Sequence, residues 1–166
     1  VSIDGTDITK LSEKERTLVR RSKVGFIFQF FNLIPTLTVK ENLLLPLELT
    51  GSNNTEERIA SILTEVGLAN RANTYPDKLS GGEQQRIAIA RALIHNPDII
   101  LADEPTGNLD YETGFQIVDL LDRVVKKKDK TMIMVTHSKD VIGLADKIYS
   151  LKDGKLGEMK KESVFE

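Results

Sequence analysis

Three short, unbroken apolar runs constrain this chain more than any other feature: Val24-Gly25-Phe26-Ile27-Phe28, Ile99-Ile100-Leu101-Ala102 and Met132-Ile133-Met134-Val135. None alternates polar with apolar residues, so each fits a strand buried on both faces better than a strand with one wet side. Helical periods lie between them. Residues 112–127 place Ile117, Leu120, Leu121 and Val124 on one face, and a segment starting at Asn54 or Thr55 does the same with Ile59, Ile62, Leu63 and Val66 before Gly67 stops it. A further helix over 82–94 is ended by Asn96-Pro97. Such an alternation predicts an α/β fold: a parallel sheet covered on both faces. Only 37–95 breaks it, and that stretch reads as a helical insert.

The ends are less regular. Val1-Ser2-Ile3 reads as a strand entering an Asp4-Gly5 turn. A start inside a strand, without methionine, is the expectation for a processed or truncated chain. Ser12 with Glu15 three residues on predicts a capped helix over 13–21. Near the other end, a short helix is expected over 139–145 and a last core strand over 147–151, after which Asp153-Gly154 turns the chain into a polar tail. The division expected is 1–36 for the first part of the core, 37–95 for the helical subdomain, 96–158 for the rest of the core and 159–166 for the tail.

Composition narrows the function classes. With 166 residues the chain can bury one substantial core, and a formal net charge of −2 gives no electrostatic case for nucleic acid. The run Lys126-Lys127-Lys128 is offset by Asp129 and reads as a solvated helix end. Cysteine is absent, which excludes disulfides and thiolate metal sites. The richest apolar stretch, Leu43-Leu44-Leu45-Pro46-Leu47, is broken by proline and falls far short of the roughly 20 residues that span a bilayer. A membrane role would therefore run through a partner.

Two places carry chemistry. Asp103-Glu104 follows a buried strand, where open α/β sheets bind ligands; one carboxylate can hold Mg²⁺ and the other can deprotonate a water. Taken alone, Asp103-Glu104-Pro105 is equally a polar turn. The string Leu79-Ser80-Gly81-Gly82-Glu83-Gln84-Gln85-Arg86 opens a helix, and its paired glycines let backbone N–H groups approach an anion at the positive end of the helix dipole. Ser-Gly-Gly-Glu by itself could be an ordinary capped helix start.

Together these strings are specific. Residues 79–86 resemble the signature motif of ABC ATPases, and Asp103-Glu104-Pro105-Thr106 resembles their Walker B segment. Gly107-Asn108-Leu109-Asp110 resembles the D-loop, Gln29 the Q-loop glutamine, and His137 the switch histidine, all in the family's order. Phe30-Phe31-Asn32-Leu33-Ile34-Pro35 further resembles the lipoprotein-releasing and macrolide- or peptide-export branch. The resemblance implies a P-loop NTPase (RecA-like) core with an inserted α-helical subdomain, and ATP and Mg²⁺ as ligands. It implies a dimer with two nucleotides sandwiched between subunits, and a transmembrane permease partner reached through a groove near 29–49. The place implied is the cytoplasmic face of the cell membrane, peripherally bound. By the same resemblance Glu104 is the general base, Asp103 and Gln29 serve Mg²⁺ and the attacking water, and His137 touches the γ-phosphate. Ser80, Gly81 and Gly82 would bind the nucleotide of the other subunit, and Asp110 would link the two sites. Tyr111 stands where relatives more often carry a small polar residue. His95 lacks such a context and reads as structural, and Phe30 and Phe31 read as core or rim packing rather than a base-stacking platform.

One expected part is missing. No G-x-x-x-x-G-K-[ST] string occurs; the one Gly-Lys pair, Gly154-Lys155, lacks the upstream glycine and is followed by Leu156. In the family that loop and its strand precede the segment matched by 1–9, the strand lying between those resembling 132–136 and 147–151. Weak binding of ATP by these 166 residues alone, and a gap in the sheet, are the expectations. Two other classes share these motifs: a soluble ABC-type ATPase acting on DNA or ribosomes, and a non-catalytic half-site. The compact insert and lack of a basic surface disfavour the first, and the intact carboxylates, glutamine and histidine disfavour the second.

Overall fold

The three apolar runs pair side by side. In the computed structural model, which describes residues 1–3, 5–127, 129–142 and 144–160, β3 (Val24–Ile27), β4 (Ile99–Asp103) and β5 (Thr131–Val135) form a parallel sheet in that order. Val24 stands opposite Ile99 and Ile27 opposite Ala102; Ile99 stands opposite Thr131 and Asp103 opposite Val135. This register ends the three strands level. Gln29, Glu104 and His137 therefore leave the sheet along its C-terminal edge, where α/β folds place their chemistry.

Two helices make the crossovers, α4 (Gly81–Leu93) from β3 to β4 and α5 (Tyr111–Lys127) from β4 to β5. The strand order advances in one direction, so right-handed crossovers put both helices on the same face. Ile27, Ile100 and Ala102 on that face are buried with Ile87, Ile89, Leu93, Ile117, Leu120 and Leu121 in one apolar cluster. Complete burial of side chains such as Ile100, Ile117 and Leu120 contributes roughly 2 kcal/mol apiece. Gly25 lets β3 and α4 touch, since a Cβ there would overlap the Ala92 carbonyl. The opposite face corrects the expectation of a doubly covered sheet. Phe26, Leu101 and Ile133 are in register on it, and Phe26 and Ile133 are exposed, as is Val135 further along. No helix among the described residues crosses in the other direction to cover that face.

The helical stretch joins the same core. α2 (Val39–Leu49) starts in a capping box between Thr38 and Glu41 and contains Pro46, and α3 (Thr55–Glu65) follows. Val39, Leu43, Leu47, Ile59, Ile62 and Leu63 all belong to the single cluster. Asn42 is fully buried and serves as an internal cap: its Nδ2 donates to the carbonyls of Ile34, Leu37 and Thr38, and its Oδ1 accepts from the Ile34 N–H. It pins the loop that follows Gln29.

At the ends, β1 (Ser2–Ile3) and β2 (Thr6–Asp7) make a small antiparallel hairpin, and α1 (Glu13–Lys23) carries the expected Ser12–Glu15 capping box. α6 spans only Lys139–Ile142. The last core strand and the polar tail need correcting. β6 (Ile148–Lys152) does not join the parallel sheet but pairs antiparallel with β7 (Lys155–Met159), Lys152 opposite Lys155. Asp153 and Gly154, at φ 51° and 74°, make the two-residue loop whose twist suits a hairpin. Among the described residues β5 pairs with β4 alone and β6 with β7 alone, so the 147–151 strand is not hydrogen-bonded to β5. Residues 161–166 of the expected tail, and Lys128 of the lysine run, lie outside the described residues. No helix among the described residues is long and apolar enough to cross a membrane.

Candidate active site

The level strand ends bring Glu104 and His137 together. Glu104 leaves β4 with φ 43°, in the left-handed region that a side chain with a Cβ rarely occupies. Its N–H donates to the Val135 carbonyl at 2.9 Å and its own carbonyl accepts from Gly107 N–H at 3.0 Å, so the turn is tied at both ends. The side chain then meets His137: Oε1 accepts the backbone N–H of His137 at 3.1 Å and lies 2.7 Å from its Nδ1. A carboxylate can only accept, so Nδ1 carries the proton and Nε2 is left for another partner. Glu104 is largely shielded while the His137 ring is open to solvent.

Gln29 and Asn108 form the opposite flank. Asn108 Nδ2 donates to the Gln29 carbonyl at 2.9 Å, and Gln29 Nε2 reaches Asn108 Oδ1 at 3.4 Å. Beyond Gln29, Phe31 and Asn32 both have positive φ. Arg91 on α4 holds this bend by donating to their carbonyls at 3.1 and 2.6 Å. Phe30 is exposed and makes no ring stack among the described residues.

Asp103 ends β4 beside them, exposed, and among the described residues its carboxylate meets no hydrogen-bonding or ionic partner. No group of three or more His, Asp or Glu side chains converges among the described residues to cage a metal alone. A single free carboxylate with a nearby amide fits Mg²⁺, which is usually held by one or two protein groups and completed by phosphate oxygens and water.

The second expected site starts α4. Ser80 caps it through a full capping box: Glu83 N–H donates to Ser80 Oγ at 3.2 Å, and Ser80 N–H donates to Glu83 Oε2 at 2.9 Å. That N–H bond first, and Arg71 as well, hold the Glu83 carboxyl below its ordinary value, with partial burial opposing them. Arg71 Nη2 is 2.9 Å from Glu83 Oε1. Gly82 has a packing duty too, because a Cβ there would lie 2.5 Å from Thr113 Cγ2 in the first turn of α5. Gly81 faces Leu109. Asp110 caps α5, accepting the Thr113 N–H at 3.0 Å, and this bond lowers its pKa.

The structure thus joins Glu104 to His137 and Gln29 to Asn108, and sets Gly81 and Gly82 against the Leu109–Thr113 turn, on the same chain. A cleft of about 360 Å³ runs from Glu104 and His137 past Asp110 and Tyr111 to Phe115 and Leu144. His95 is structural as expected, with Nε2 3.3 Å from the Val24 carbonyl and its pKa lowered by burial. Sequence reasoning missed Asn108 as the partner of Gln29, Arg91 as the brace of the bend and Asn42 as the cap of the following loop. It also missed Gln85, which is fully buried and donates to the Pro105 carbonyl at 2.6 Å.

Comparison with known proteins identifies the family. Residues 1–107 match the family model described as ABC transporter. An uncharacterized ABC transporter ATP-binding protein of Mycobacterium tuberculosis is 52% identical over 158 residues, which cover 94% of this chain and 64% of that protein. The lipoprotein-releasing system ATP-binding protein LolD of Syntrophus aciditrophicus is 43% identical over 94% of this chain and 71% of its own length. Among solved structures, the dimeric post-hydrolysis ATP-binding cassette MJ0796 bound to ADP and Pi superposes with a TM-score of 0.83 at 43% identity, covering 96% of this chain and 72% of that one. The chain spans 64% of the length of the mycobacterial relative. The fold is that of the P-loop NTPase cassettes, and the chain belongs to the ABC transporter family as one of its ATP-binding domains.

Proposed function

We propose that the chain forms the hydrolytic part of an ABC transporter's ATPase subunit, in which closure of a dimer on ATP drives a membrane permease. The observation that carries this reading is the contact of Glu104 with His137 at the C-terminal edge of the sheet, one residue after the free carboxylate of Asp103. In this reading Glu104 Oε2 takes the proton of a water as its oxygen bonds to the γ-phosphorus. The bond from that phosphorus to the bridging oxygen of ADP breaks in the same displacement. His137 holds Oε1 through two N–H groups, so the carboxylate need not reorient as the reaction proceeds. Its Nε2, left for another partner by that bond, would contact the γ-phosphate.

Gln29, fixed by Asn108, orients the water from the other flank. Asp103 and Gln29 would hold Mg²⁺, which when bound neutralises charge on the β- and γ-oxygens. Ser80, Gly81 and Gly82 would offer the start of α4 to the nucleotide of the second subunit, and Asp110 would carry information between the sites. Division of the chain at residues 36 and 95 belongs to the same proposal, with 37–95 as the helical subdomain and the permease groove near 29–49. A peripheral place on the cytoplasmic membrane face follows from the permease partner.

The test is Glu104→Gln in the full-length subunit. The variant should bind ATP, accumulate as a closed dimer in gel filtration and turn over at least about a hundredfold more slowly. Unchanged turnover would remove Glu104 from the role of base and sink the reading.

A further inference from the structure

Gln85 is the one polar side chain of α4 that is wholly buried, and it crosses to the loop that carries Glu104. Its Nε2 donates to the Pro105 carbonyl at 2.6 Å, while its Oε1 is buried with no hydrogen-bond partner among the described residues. A packing residue at this position would be apolar, since half of this amide goes unsatisfied. What the donor half holds is therefore informative. The Pro105 peptide directly follows Glu104, whose backbone sits at φ 43°. The bonds from Glu104 N–H to Val135 and from Gly107 N–H to Glu104 fix the two ends of the turn. Neither fixes the plane of the carbonyl at Pro105. Proline has locked its own φ, so the remaining freedom is a rotation of that plane. The Gln85 bond opposes it and so ties α4 to the residue that directly follows Glu104.

We propose that Gln85 is a positioning residue for Glu104: anchored in α4, it holds the Pro105 carbonyl and so keeps the left-handed turn that aims the carboxylate. The proposal rests on Glu104 being the base. It adds that the helix starting at Ser80, which serves the nucleotide of the second subunit, is tied within its own subunit to the base that serves the first.

Three variants of the full-length subunit test it. Gln85→Met keeps the length and removes the donor; kcat should fall about tenfold or more with KM for Mg-ATP within about twofold. Combined with Glu104→Gln, it should lower the residual turnover no further, because the carboxylate it aims is already gone. Gln85→Glu restores a donor only when the introduced carboxyl is protonated, so its turnover relative to wild type should rise as pH falls. Unchanged kcat in Gln85→Met, a full additional loss in the double variant, or a Gln85→Glu pH profile parallel to wild type would each overturn the proposal. Should Gln85→Met not fold, the Gln85→Glu profile decides. Turnover that survives Glu104→Gln would instead fault the reading of the site itself, and a Glu104→Gln block with an unaffected Gln85→Met faults this inference alone.

Discussion

The Nδ1 of His137 lies 2.7 Å from Oε1 of Glu104, and the backbone N–H of the same histidine reaches the same oxygen at 3.1 Å. One residue thus grips one carboxylate oxygen twice and leaves the other oxygen open. The two residues come from adjacent parallel strands whose register, Asp103 opposite Val135, fixes how far each loop must travel to meet.

Removing the ring should separate these two grips. His137→Ala keeps the backbone N–H and loses the Nδ1 bond, so the full-length subunit should retain ATP affinity and lose about a hundredfold in turnover. Isothermal titration together with single-turnover hydrolysis reads the two effects independently; a loss confined to affinity would assign His137 to binding alone.

The start of α4 should respond to acid. The Glu83 carboxyl is held below its ordinary value of 4.5 by the Ser80 N–H and by Arg71. The unfolded chain then binds the proton more readily than the folded one, so stability rises with pH through this window and is level above it. Its contribution is complete above about pH 4.5 and is lost as pH falls through the lower folded value. Urea midpoints of wild type and Glu83→Gln should converge on acidification below that pH, with wild type the more stable above it.

Gly82 has two roles that one pair of variants can separate. Gly82→Ala sets a methyl against Thr113 Cγ2 and should destabilise by about 1–3 kcal/mol. Adding Thr113→Ser removes that Cγ2 and should restore much of the melting temperature. Turnover should stay low in the double variant if the N–H groups at this helix start must approach a phosphate. Full recovery of turnover would reduce Gly82 to a packing residue.

Gly25→Ala tests the seam between β3 and α4. The methyl would meet the Ala92 carbonyl, a backbone group on a buried helix that has little room to retreat. A cost of about 2–3 kcal/mol, or several degrees in Tm, is expected by calorimetry. A shift under one degree would mean that strand and helix separate easily.

Much of this is legible in the amino-acid sequence alone. Unbroken apolar runs such as Ile99-Ile100-Leu101-Ala102 gave the strands, because a buried parallel strand has no wet side to alternate toward. Ser12 with Glu15 gave a helix start, because the cap is a local exchange between residues three apart. Gln29, Glu104 and His137 could be singled out by motif order, and the level strand ends explain why they share an edge. What escaped was non-local. Gln85, Arg91 and Asn108 each donate to the carbonyl of a loop distant in sequence, at Pro105, Phe31 and Asn32, and Gln29. An amide or guanidinium inside an otherwise ordinary helix or turn gives no sign of which carbonyl it will meet. The hairpin of β6 and β7 was half visible: Asp153-Gly154 announced a turn, but Lys155-Leu156-Gly157-Glu158-Met159 has too little β-branched or aromatic character to read as a strand. The open sheet face was misjudged because apolarity alone does not reveal on which side crossovers pass.

The pairing of Val24 with Ile99 also governs the order in which the molecule can be made. All of α2, α3 and α4 must leave the ribosome before β3 can meet β4, its sheet neighbour among the described residues. At ordinary translation rates that interval is on the order of seconds. During it the nascent helices must bury their apolar faces against one another, without the strand on which α4 finally rests, and β3 is exposed to chaperones or to neighbouring nascent chains.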